Sequence, residues 1–157
     1  MKLNNLHSIL RKGKRRKMSS LDDLYDLAEE EGIEVLAFSL PTVGSVSIMR
    51  QNGKCYIGLD PFFFETSNEK SVLLAHELGH CITGSFYNRY ASCDIRAKHE
   101  YVADKWAIKK LVPMDELEEA IKHGFTEFWE LSEYFDVSVP FVKKAINYYK
   151  EQALGRL

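Results

Sequence analysis

Cysteine is scarce in this chain, acid is missing from its first twenty residues, and no apolar run approaches bilayer length. Each absence removes a class of protein. The cysteines at 55, 81 and 93 form an odd set with no CxxC spacing. That suits reduced thiols in the cytosol, with Cys81 a buried free thiol. A membrane helix needs about 20 apolar residues, far more than the longest stretch here, so no membrane is expected as a partner. The opening Met1-Lys2-Leu3-Asn4-Asn5 lacks the apolar core of a secretory signal. The expected localisation is cytoplasmic.

The missing acid makes the N-terminus basic. Residues 1–20 hold seven Lys or Arg, and the remainder carries 14 basic against 23 acidic residues, a formal −9. A basic arm on an acidic body could touch nucleic acid or an acidic partner. It could equally be a solvated tail or an upstream extension, because Met18-Ser19-Ser20-Leu21 also reads as a chain start.

What remains is ordinary globular material. With 45% apolar and 28% charged residues over 157 positions, the chain can fill one core. The reading divides it into a basic arm (1–20), a core unit (21–112) and a C-terminal helical segment packed on the same domain (113–157). The fold class expected is α+β, mainly helical, with a small antiparallel sheet and a helix-turn-helix-like end.

The chemistry sits in His76-Glu77-Leu78-Gly79-His80, an HExxH pentad. Histidines four apart on a helix are offset by about 40° and about 6 Å, so both imidazoles can reach one metal ion. Glu77 stands beside that ion without binding it, where a general base belongs. Thr66-x-x-Glu69 reads as a capping box opening a helix near Ser67, and Gly84 as its stop. The helix is apolar nearly all round and hence buried, and burying two histidines and a glutamate without partners costs several kcal/mol. A metal ion with water resolves that cost; hydrogen-bonded core histidines are the bland alternative. Gly79 lets a neighbouring backbone or substrate approach, or simply packs tightly.

Catalytic zinc usually takes three protein ligands. Downstream candidates are His99, Glu100, Asp104 and His123. A helix from an Asp94 N-cap to about Leu111 places Glu100 and Asp104 on one face. Glu100 would then bind the metal and Asp104 would accept the second N–H of a ligating histidine, His76 first among them. His99 points about 100° away and is the weaker candidate. Ala103 is small enough to let the two helices approach.

His76-Glu-Leu-Gly-His80 followed by Glu100-x-x-Ala-Asp104-x-x-Ala107 resembles the ImmA/IrrE zinc metallopeptidases, over about Leu21 to Tyr149. The resemblance implies Zn2+ on His76, His80 and Glu100, catalysis by Glu77, and Asp104 in support. It also implies a zincin-like fold and a protein substrate, a helix-turn-helix repressor of a phage, mobile element or stress response. An electrophilic donor for the reaction could be Tyr87, Tyr90, Tyr101, His99 or His123, which the sequence does not rank.

Upstream, Gly32–Phe38 reads as a strand. Ser45–Arg50 and Lys54–Leu59 flank Asn52-Gly53, a strong hairpin signal. An edge of this sheet could take a peptide by backbone pairing. Phe62, Phe63 and Phe64 are expected to pack the hairpin onto the core. A first helix runs from Leu21 to near Gly32, a short one follows Pro113, and helices over Thr126–Phe135 and Val139–Lys150 flank a tight turn. That last pair motivates a competitor, a metal-containing DNA-binding regulator, alongside an antitoxin-like protein that binds a partner without turnover. Glu127, Glu130 and Glu133 on the first helix, and only Lys143, Lys144 and Asn147 on the second, weigh against nucleic acid.

Overall fold

The computed structural model describes residues 21–155. The basic arm of residues 1–20 lies outside them. The described chain is α+β, with six helices and one three-stranded sheet. In order these are α1 (Leu21–Glu30), β1 (Glu34–Ala37), β2 (Ser45–Met49), β3 (Cys55–Leu59), α2 (Ser67–Thr83), α3 (Cys93–Leu111), α4 (Met114–Lys122), α5 (Phe128–Phe135) and α6 (Val139–Ala153). No helix among the described residues is long and apolar enough to cross a membrane.

The Asn52-Gly53 signal produces its hairpin. Gly53 takes a left-handed φ of 78°, and β2 pairs antiparallel with β3, Val46 opposite Gly58 and Ile48 opposite Tyr56. The expectation of an all-antiparallel sheet is corrected, because β1 pairs parallel with β3, Leu36 opposite Gly58. The strand order is β1-β3-β2. A hairpin turn dictates the direction of its own two strands only. The helix α1, which buries Leu24 and Ala28, leads into β1 through Gly32, at a left-handed φ of 68°. As the central strand, β3 buries Cys55, Ile57, Gly58 and Leu59.

The cysteine expectation is also corrected. Cys55 on β3 and Cys81 on α2 are joined in a disulfide, with Cα atoms 5.9 Å apart, and only Cys93 is free and exposed. The bond ties the sheet to the last turn of α2.

Both helices of the central pair follow their local chemistry. Thr66 accepts from the Glu69 N–H while the Glu69 side chain accepts from the Thr66 N–H, and Gly84 closes α2 in the left-handed region. The helix α3 begins one residue before the expected cap, with Ser92 at the N-cap and Asp94 in the first turn. Gly79 explains how the two helices meet. A Cβ built on it would lie 2.6 Å from the Ala103 carbonyl oxygen and 3.0 Å from the Ala103 Cα, so backbone touches backbone at this crossing.

The C-terminal segment packs on the same core. Leu131, Phe135, Val137, Val142 and Ala145 are buried in one cluster with Leu24, Ile57, Leu74 and Leu111, and the Tyr149 hydroxyl donates to the Val112 carbonyl at 2.8 Å. The helix α5 starts two residues later than expected, because Glu127 caps it through a box with Glu130. Asp136, at φ 54°, makes the turn into α6. The phenylalanine expectation fails in part, since Phe62 is 90% exposed and Phe63 half exposed, while Phe64 alone packs against the core.

Candidate metal centre

His76 and His80 project from α2 and Glu100 from α3 into one small space. The two Nε2 atoms lie 3.1 Å apart. Glu100 Oε2 is 3.0 Å from His76 Nε2, and its Oε1 is 3.5 Å from His80 Nε2. One ligand atom from each residue falls within 4.8 Å of the other two. His80 is buried, and Glu100 is the most exposed of the three.

The outer nitrogens decide what the inner ones are. His76 Nδ1 lies 2.9 Å from Asp104 Oδ1, and His80 Nδ1 lies 2.6 Å from the Ser85 carbonyl oxygen. A carbonyl and an ionised carboxylate can only accept, so each Nδ1 carries a proton and donates. In a neutral imidazole that leaves Nε2 as a bare lone pair. Two such lone pairs and a carboxylate therefore face one another, an arrangement of acceptors that could hold a cation among them. Nitrogen, nitrogen and carboxylate oxygen is a donor set suited to zinc and accepted by other divalent metals. The residues fit a metal ion.

The charge around the cluster points the same way. Burial pulls the His76 pKa down, but the hydrogen bond and charge of Asp104, with Glu77 and Glu100, outweigh it and leave the group above its ordinary value. Asp104 is moved upward by burial, yet its bonds to His76 and Lys144 hold it below the usual carboxylate range. A pocket that favours a proton on His76 favours any cation, so metal and proton compete there.

Glu77 is 7% exposed and accepts a hydrogen bond at Oε1 from the Ser45 hydroxyl at 2.7 Å. Ser45 opens β2, an edge strand, so the sheet touches the glutamate directly. Of the five donors that the sequence left unranked, the structure brings Tyr87 to the cluster, where its hydroxyl donates to Glu100 Oε1 at 2.7 Å. That bond and the Glu100 charge raise the phenol's pKa. Tyr90 is 83% exposed, the Tyr101 ring lies tilted against that of Tyr148 with centroids 6.5 Å apart, and His123 donates to the carbonyl of Glu119. His99 lies beside the Tyr87 ring rather than in the cluster.

Three contributors were invisible in the sequence. Ser85 acts through a backbone carbonyl, which any residue carries. Ser45 is 32 positions from Glu77, and its register follows from the sheet. Lys144, on α6, donates to Asp104 Oδ2, so a lysine weighed as a DNA contact is engaged with the site. No protein-family model, curated protein or solved structure matches this chain.

Proposed function

We propose that this chain is a zinc-dependent endopeptidase, a zincin-like hydrolase of peptide bonds in a protein substrate. The observation that carries the reading is the buried Glu77 carboxylate, held by Ser45, next in sequence to the first of three converging acceptors that could hold a cation. His76, His80 and Glu100 would hold the ion, which supplies Lewis acidity toward a carbonyl and acidifies water.

The chain's own groups supply the rest. Ser45 occupies Glu77 Oε1, and we assign Oε2 to take the proton from water and deliver it to the departing amine. Asp104 and Ser85 fix the imidazole orientations, keeping each Nε2 lone pair turned inward. The outer edge of β2, which pairs with no further strand among the described residues, offers backbone groups on which an extended peptide can align.

The substrate class rests on the resemblance of the paired HELGH and ExxAD motifs to ImmA/IrrE peptidases, and is a helix-turn-helix repressor. The Cys55–Cys81 disulfide is of a kind rare in reducing compartments. The competing DNA-binding reading is disfavoured by Lys144, whose ammonium faces Asp104.

Glu77→Gln tests the proposal. Zinc content is expected to survive while cleavage of a co-expressed repressor disappears. Cleavage that persists in the zinc-loaded variant would exclude Glu77 as the base.

A further inference from the structure

We propose that Tyr87 is a positioning residue that presets Glu100 for the metal; the inference rests on reading the cluster as a metal centre. The three ligands are unequally restrained. His76 and His80 are side chains 19% and 7% exposed, each anchored through Nδ1, whereas the Glu100 side chain is 40% exposed. Fixing a free glutamate side chain costs rotamer entropy. Among the described residues, the Tyr87 hydroxyl is the donor that restrains it, by taking Oε1. Oε2, the oxygen 3.0 Å from His76 Nε2, is left facing the imidazoles.

The loop that carries Tyr87 is itself fixed to the other ligands. Gly84 ends α2 at φ 68°, and the Ser85 N–H then donates to the His80 carbonyl at 3.2 Å. Thr83 Oγ1 donates to the Gly79 carbonyl at 2.6 Å and lies 2.8 Å from Ser85 Oγ. The Phe86 ring lies 6.0 Å from that of His80, and the Tyr87 ring stands edge-on to His80 at 6.5 Å. Four consecutive residues thus hold His80 through a carbonyl and Glu100 through a phenol. They couple a ligand on α2 to one on α3 at a second place, beyond the Gly79–Ala103 crossing. A ligand ordered before the ion arrives costs less to order on binding.

The test uses the full chain, Tyr87→Phe, and zinc competed against a chromophoric chelator at fixed pH. The expected result is a dissociation constant raised about tenfold or more, in the range of other outer-partner losses. The metal-free protein should melt at the wild-type temperature, with a smaller gain on adding zinc. The visible spectrum of the cobalt-loaded variant should shift, which a merely structural role would not cause. Tyr90→Phe, at a neighbouring exposed ring, should change none of these. Zinc affinity and cobalt spectrum equal to wild type in Tyr87→Phe would overturn the positioning role and leave the metal centre standing. Failure of the wild-type protein itself to bind zinc would overturn both.

Discussion

Two helix pairs in this molecule solve opposite problems. The pair α2–α3 brings polar groups inward, and it does so by thinning the packing between them to Gly79 against the Ala103 backbone. The pair α5–α6 buries Leu131, Phe135, Val142 and Ala145 and leaves Glu133, Lys143 and Asn147 outside or at the margin. The first pair is expensive to fold and cheap to convert into a binding site. The second is cheap to fold and reaches the site through Lys144, which donates to Asp104. The lesson is that a helix-turn-helix outline does not by itself imply a function, whereas inward-facing acceptors offer a place for a ligand.

The comparison breaks most visibly where the hairpin's core is removed. Phe135 is fully buried, so Phe135→Ala should cost about 3 to 5 kcal/mol of stability, read by chemical denaturation. Zinc affinity of the folded fraction should stay at the wild-type value. A parallel loss of zinc affinity would mean that the hairpin shapes the site and that the division of labour drawn above is wrong.

The converse substitution is Asp104→Asn. It removes the charge that aligns His76 but keeps the volume, so denaturation of the metal-free protein should change little. Zinc affinity should fall by about 10 to 100-fold. Loss of fold stability with affinity intact would make Asp104 a structural ion-pair residue instead.

These contrasts also mark what was legible in the chain. The pentad, the Thr66–Glu69 box and the Asn52-Gly53 turn are local: each is written within five residues and each appears in the structure. Glu100 and Asp104 were found because a helix repeats every 3.6 residues. The parallel pairing of β1, the Cys55–Cys81 bond and the Ser45–Glu77 contact join segments 20 or more residues apart. No local pattern encodes which distant partner wins. The exposed phenylalanines failed for another reason: an apolar run says that burial is favourable, not that a neighbour is in place.

A pH measurement sharpens the join between the two regions. Tyr149, on α6, donates to the carbonyl that follows α3, and burial first, then Tyr148 and Asp115, push its pKa up to about 12. A raised phenol contributes stability that is complete below the unfolded value of 10.0 and is lost as pH climbs toward 12. The melting temperature of wild type should therefore fall through that window, and Tyr149→Phe should fall less steeply across it. Identical alkaline profiles would assign the transition to another group.

The smallest expected effect belongs to Lys144, the residue that links the two pairs. Its side chain is 51% exposed and Asp104 is 24% exposed, so water and salt screen the pair, and such bridges are worth about 0 to 1 kcal/mol. Lys144→Met keeps the aliphatic stem over α3 and removes only the charge. Stability should fall by less than about 1 kcal/mol, and added salt should erase the difference. A loss several times larger, insensitive to salt, would show that the ammonium is more deeply desolvated in solution. The hairpin would then be part of the electrostatic support of His76, and the two regions would be one device. A normal stability combined with loss of a salt-dependent DNA mobility shift would instead return Lys144 to the nucleic-acid role that its contact with Asp104 argues against.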